Sequence, residues 1–240
     1  MPESIAIIAI VLVAAFVQGL TGFGFGLIAL PLLGFFLNIK TSIPLMVLLA
    51  VIISFYLSIR LRNHIDLKCI FTLLLATLPG IPLGVYVLKQ VSPQTLSIVL
   101  GVIMIAFTSH QLIVRPKPLH LGRAVTVLAG FACGVLSASI GAGGPPVIIY
   151  TAIQPWPKDK AKATLALYFT ISGLMVILSH ALSGMITREV LSLYAMSLPT
   201  LILGIYLGTQ AYKHISDHGY RRLAFVLVFL LGCMLLYRNI

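Results

Sequence analysis

Charge is scarce in this 240-residue chain, where five acidic residues and sixteen Lys or Arg make up 9% of the whole. A soluble domain has roughly a quarter of its residues charged, whereas 60% of the residues here are hydrophobic. An ordinary soluble fold is excluded, and an integral membrane protein is expected. The five acids, Glu3, Asp66, Asp159, Glu189 and Asp217, fall between apolar runs or near the terminus, which removes a buried carboxylate as proton relay or sodium ligand. Cysteine is nearly absent too. Cys69, Cys133 and Cys233 stand alone, at spacings that suit neither a metal site nor a disulfide framework, and read as small buried hydrophobes. No cofactor or metal is expected. The net charge of +11 comes in short clusters without interleaved aromatics, so it marks topology and not a nucleic-acid surface.

What the sequence has in abundance is apolar runs, at about 5–37, 42–59, 69–88, 94–114, 121–153, 163–186, 190–212 and 220–237. The first follows Glu3 with no basic segment before it, so it reads as a membrane element and not a cleaved signal peptide. Six runs approach the roughly 20 residues of a membrane-spanning helix. The first and fifth have roughly 30 residues, about 45 Å as helix against a hydrocarbon core of ~30 Å, and each is interrupted by glycine.

Those two runs open the halves of an internal repeat. LPGIPLGVY at 78–86 returns as LPTLILGIY at 198–206, pairing Leu78, Pro79, Gly84 and Tyr86 with Leu198, Pro199, Gly204 and Tyr206. Lys40-Thr41-Ser42 is echoed by Lys162-Ala163-Thr164, and QGLTGFGFG by CGVLSASIGAGG, which sets Cys133 against Gln18. The repeats are expected at 1–118 and 119–240, each a broken element followed by three helices. Charge then orients them. If 121–153 folds back as a hairpin of two shorter helices, twelve Lys/Arg in the loops 60–68, 115–123, 158–162 and 213–222 share one face, leaving Lys40, Lys89, Arg188 and Arg238 on the other. A single crossing divides them eight against eight. Cytoplasmic loops carry the Lys/Arg excess, so the hairpin is expected. The fold class that follows is an all-α polytopic membrane protein of two inverted-topology repeats. By symmetry 5–37 is also a hairpin, and both termini lie outside.

The interruptions GLTGFGFG (19–26) and SASIGAGGPP (137–146) are the candidate site. Irregular backbone at membrane depth survives only when buried in protein or lining a polar cavity. Pro145 and Pro146 suit the first turn of a helix through VIIYTAI, and the preceding Gly141, Gly143 and Gly144 let a small ligand approach the backbone. Gly22, Gly24 and Gly26 precede the helix LIALPLLGFF in the same way, with hydroxyls from Thr21 in one half and Ser137 and Ser139 in the other. Inverted symmetry lets the two half-helix N-termini converge near the midplane, where their positive ends suit a small anion. Close helix packing is the competing reading, although packing glycines recur at i, i+4. Thr164, Thr170 and Ser172 either line the cavity or bond their own backbone. His180 is a candidate for proton coupling, with a packing hydrogen bond as the alternative. All sixteen Lys and Arg fall in loops or at helix ends.

The runs Gln18-Gly19-Leu20-Thr21-Gly22-Phe23-Gly24 and Ser139-Ile140-Gly141-Ala142-Gly143-Gly144, with the Leu-Pro-x4-Gly repeat, resemble the TauE/SafE sulfite-exporter family from about 4 to 237. The resemblance implies a multi-pass transporter, not an enzyme, in a bacterial inner membrane, moving sulfite, a sulfonate such as sulfoacetate, or a related sulfur oxyanion. Its glycine signatures imply a site at Gln18, Thr21, Gly22, Gly24, Ser139, Gly141, Gly143 and Gly144. An anion channel would use the same glycines to line an open pore. An intramembrane serine hydrolase would pair Ser137 or Ser139 with His180, but the GxSxG nucleophile pattern is missing. The expected partners are a small anion and the lipid bilayer, with no nucleic acid.

Overall fold

The computed structural model describes residues 2–65, 67–113, 122–154, 156–212 and 217–240. The expected repeat boundary at 118/119 lies outside them, as do Arg115, Lys117, Asp66 and Lys213 and the side chains of Glu3, Lys68, Cys69, Lys158, Asp217, Arg221 and Arg222. Among the described residues all regular structure is helical. The helices are α1 Pro2–Thr21, α2 Phe25–Leu33, α3 Ile39–Arg60, α4 Leu67–Gln90, α5 Pro93–Ile113, α6 Arg123–Ile140, α7 Gly144–Ile153, α8 Lys158–Leu182, α9 Arg188–Ala211 and α10 Asp217–Asn239. Seven of these, α1, α3 to α6, α8 and α9, are long and apolar enough to cross a membrane. Large apolar side chains such as Phe71, Leu128, Leu178 and Ile202 are exposed on the outside of the bundle, the surface expected of a protein solvated by lipid.

Each long run is broken where the glycines cluster, but the two arms are unequal. The first arms, α1 and α6, have 20 and 18 residues, enough to span. The second arms, α2 and α7, have 9 and 10, about 14–15 Å of helix or half a bilayer core. Where two shorter helices are expected from the sequence, a full-length helix is followed by a half-length one.

Lipid supplies little hydrophobic drive between helices, so close backbone approach has to hold the bundle. The main contacts join α4 to α6, α1 to α9, α5 to α10 and α3 to α8. Gly80 and Gly84 of α4 rest against the carbonyls of Phe131 and Val135, and Gly204 and Gly208 of α9 rest against those of Leu12 and Phe16. A methyl group at any of the four would strike backbone. These are the i, i+4 packing glycines, and they set Gly84 level with Gly208, one helical turn beyond the Gly204 that the sequence echo selects. Gly101 and Gly232 face each other across α5 and α10, each within contact of the other's carbonyl.

Candidate functional site

The two chain breaks are built alike. After α1, Gly22 has φ +87° and Gly24, which caps α2, has φ +99°; after α6, Gly141 has φ +64° and Gly143 caps α7. An L side chain in that left-handed region costs about 1–2 kcal/mol, which accounts for glycine at Gly24 and Gly141. Gly26 lies within the first turn of α2 instead of preceding it. The Phe25 N–H donates to Gln18 Oε1 at 3.2 Å, and Gln18 Nε2 donates to Ser54 Oγ at 3.3 Å. An amide N–H can only donate, so this bond also settles which way the Gln18 amide faces. The next amides, of Gly26 and Leu27, have no carbonyl four residues back within the helix and are among its open donors. At α7 fewer are available, because Pro145 and Pro146 lack N–H groups.

Both helix beginnings line one cavity of about 100 Å³. That volume holds a few waters and falls below the roughly 150 Å³ that takes up benzene, so it suits a small solute. Gln18, Gly24 and Gly26 line it from the first half, and Ser137, Gly143 and Gly144 from the second. Gly141 joins them, while α3 adds Ser54 and α8 adds Ser172. Among the described residues no Asp, Glu, Lys, Arg or His is in the lining. On α3 the lining runs from Met46 to Ser54, at least six residues, or about 9 Å, from either end of that helix. The cavity is therefore central along the helix.

The lining pairs across the two halves. Carried along, the Lys40-Thr41-Ser42 echo sets Val47, Ala50, Val51 and Ser54 on Phe169, Ser172, Gly173 and Val176, and every one of these lines the cavity. The QGLTGFGFG echo does not survive in the same register. Matching the left-handed Gly22 to Gly141 and the capping Gly24 to Gly143 sets Gln18 on Ser137, not on Cys133. Cys133 lies one turn earlier, wholly buried, with its Sγ 3.6 Å from Ser137 Oγ. The counterpart of Gln18 is thus a polar residue in both halves.

Other candidates sit beside the cavity and not in its lining. Thr21 Oγ1 donates to Val17 O at 2.9 Å, Ser139 Oγ to Val135 O at 2.6 Å and Thr170 Oγ1 to Ala166 O at 2.8 Å. Gly22 lies under the aliphatic stem of Lys162. Pro145 and Thr164 are buried in α7 and α8. His180 Nε2 lies 3.0 Å from Ala138 O; a carbonyl only accepts, so Nε2 carries the proton, which is the packing hydrogen bond. The main departure from the sequence reading is Lys162. It is not a loop cation: it lies in the first turns of α8, 9% exposed, with Nζ 3.2 Å from Leu20 O and 3.7 Å from the Tyr212 ring centre. Ser54 was not singled out from the sequence, although extending the Lys-Thr-Ser alignment through α3 finds it opposite Val176.

A multi-pass helical protein whose two half-length helices begin at one small cavity, lined by hydroxyls, an amide and glycines, has the construction of a membrane transporter. Residues 7–235 match the family described as sulfite exporter TauE/SafE, and the chain belongs to that family. It is accordingly a membrane transporter and not an enzyme. The chain is 26% identical over 226 residues to "Probable sulfite/organosulfonate exporter TauE" of Cupriavidus necator, covering 91% of this chain and 88% of that one. It is 24% identical over 272 residues to "Probable membrane transporter protein YunE" of Bacillus subtilis, covering 98% of each. No solved structure matches significantly.

Proposed function

We propose that this transporter exports a small sulfur oxyanion or sulfonate, sulfite first among them, bound in the central cavity and moved by alternating access between two inverted repeats. The observation that carries this is the meeting of the α2 and α7 N-termini at a cavity lined by Gln18, Ser54, Ser137 and Ser172, with no charged side chain among the described residues of its lining. Helix dipoles, open amides and hydroxyls then compensate the anion's charge. The half-to-half pairing of the lining and the Gly101–Gly232 crossing support a two-fold relation between 1–118 and 119–240. The name of the Cupriavidus relative supports the substrate class. In a bacterial cell the protein would lie in the inner membrane with both termini outside, the orientation that keeps the larger Lys/Arg set cytoplasmic.

A carrier and a channel differ in kinetics. Purified protein in liposomes should take up sulfite with saturation and should accelerate exchange when unlabelled sulfite is preloaded on the far side. Flux that stays linear in sulfite concentration, with no counterflow, would convict the carrier reading in favour of a channel.

A further inference from the structure

Helix α2 begins at the central cavity and ends at another. A cleft of about 410 Å³ opens at its C-terminal end, walled by Leu30, Gly34 and Asn38 on one side and by Gln94, Ser97 and Arg238 on the other. Among the described residues Arg238 is the one charged side chain that lines either cavity. Its guanidinium is held in place: one N–H donates to Gly34 O at 2.8 Å, and the group lies 4.5 Å from the centre of the Phe35 ring. Five N–H donors in a rigid fork exceed what one carbonyl engages.

Helices α3 and α5 begin at the wall, with Asn38, Ile39, Pro93 and Gln94 in the lining, and α2 and α10 end at it, with Gly34 and Asn239, so positive and negative helix ends offset one another and the positive charge of the lining rests on the exposed Arg238. Beside Ile39, Lys40 is tied to the outer end of α4 through Nζ and Lys89 O at 3.0 Å, which keeps a further cation near the rim. No Asp or Glu is in the described lining. Two of the four Lys/Arg assigned to the outer face thus stand here, Arg238 in the lining and Lys40 next to the lining residue Ile39. Between the cleft and the central cavity stands Leu30, which is 1% exposed and lines the cleft. Its other side abuts Gly141, where an added Cβ would meet Leu30 Cδ1 at 2.9 Å.

We infer that the cleft is a second oxyanion site, an outer station to which the central cavity delivers its anion, with Arg238 as the ligand and Leu30 as the partition. The inference rests on the exporter reading for its direction, but not for the binding itself. A phospholipid phosphate offers the same chemistry as a free oxyanion, so the test has to separate the two sources.

Sulfite is titrated calorimetrically into the full-length protein in phosphatidylcholine nanodiscs and in phosphatidylglycerol nanodiscs. In phosphatidylcholine the wild type should bind two equivalents and Arg238→Gln one, with the remaining affinity unchanged. Arg238→Lys, which keeps the charge and can still reach Gly34 O, should retain the second equivalent at about tenfold weaker affinity. Gln18→Glu should remove the other equivalent and leave the Arg238-dependent one. Two equivalents in Arg238→Gln, or one in the wild type that Gln18→Glu abolishes, would overturn the second site. So would phosphatidylglycerol retained by the wild type but not by Arg238→Gln, with no Arg238-dependent sulfite in phosphatidylcholine, since the cleft would then hold lipid. If Gln18→Glu binds as the wild type does while Arg238→Gln binds nothing, the outer site stands and the central site falls.

Discussion

Lys162 and His180 sit at opposite ends of α8, and each holds a carbonyl in the last turn of a different broken element. Lys162 Nζ is 3.2 Å from Leu20 O at the end of α1, and His180 Nε2 is 3.0 Å from Ala138 O at the end of α6. The last carbonyls of a helix have no partner within it and carry its negative end, so a donor there satisfies both needs. One helix thus braces both chain breaks, from two sides of the cavity that it also lines.

The first prediction concerns that brace. Lys162→Met should lower stability by about 1–2 kcal/mol, the upper range for a cation at a partly buried helix C-terminus, and should reduce sulfite flux at every salt concentration. Lys160→Met, whose Nζ stands 5.4 Å from the Trp156 ring centre, should change stability little and affect flux mainly at low ionic strength. Thermal unfolding and a salt series of initial rates check both. Equal effects of the two substitutions would return Lys162 to the surface charge cluster in which the sequence alone places it.

The two serines of SASIG should separate. Ser137 lines the cavity, whereas the Ser139 hydroxyl is spent on Val135 O. Ser137→Ala should weaken sulfite binding by about 1.5–3 kcal/mol, roughly ten- to hundredfold in Kd, while Ser139→Ala stays near the wild type. The reverse order, measured by titration, would move the site to the other face of α6.

Glycine substitutions should fail for different reasons. Gly143 has an ordinary φ of −72°, but a Cβ there would collide with Ser137 and come within 2.7 Å of Cys133 O. Gly143→Ala should therefore abolish transport. At Gly24 nothing lies within 4 Å of an added Cβ, and the difficulty is φ +99°. Gly24→Asn, which tolerates left-handed backbone, should keep more flux than Gly24→Val. Parallel losses at both positions, with wild-type expression, would point to space and not backbone conformation as the constraint at Gly24.

Gln18→Glu probes the sign of the site. A carboxylate oxygen can still accept from the Phe25 N–H, so the helix cap persists, but a fixed negative charge now faces the cavity. Sulfite affinity should drop by at least about tenfold, in keeping with the several kcal/mol of like-charge repulsion at short range. Binding that is unchanged or tighter would mean that the cavity does not take an anion.

Topology can be read by labelling. In a background without Cys69, Cys133 and Cys233, Pro118→Cys and Lys160→Cys should react with an impermeant maleimide from the same, cytoplasmic face. Reaction from opposite faces would dismantle the inverted arrangement.

How far the sequence carries the structure depends on the length scale. The two breaks, the prolines in the first turn of α7 and the helices flanking them are legible, because clustered glycine inside an apolar run has few other physical uses. Register is not. A slip of about one turn keeps nearly the same helix face, so LPGIPLGVY and LPTLILGIY look aligned at Gly84 and Gly204 while the packing aligns Gly84 with Gly208. The same slip hid Ser137 as the partner of Gln18. Lys162 was illegible for another reason: its place in a basic cluster predicts solvent, and the end of α1 and the Tyr212 ring, both remote in sequence, account for its burial. Ser54 carries no local signal at all, being one hydroxyl in a hydrophobic helix.

The crossing of α1 with α9 has a consequence for biosynthesis. Gly204 and Gly208, which rest against the Leu12 and Phe16 carbonyls, lie on the later partner, with Gly19 of α1 answering them from the earlier one, and more than 160 residues separate the end of α1 from the start of α9. At 5–20 residues per second the ribosome needs roughly 8–30 s to make that interval. During it α1 lacks the α9 face that fits it and must wait in lipid or against the insertion machinery. All four main helix pairs, α4 with α6, α1 with α9, α5 with α10 and α3 with α8, join one half to the other, so the first half made alone would be left with four unmatched helices, whereas the two halves expressed as separate chains could complete each other.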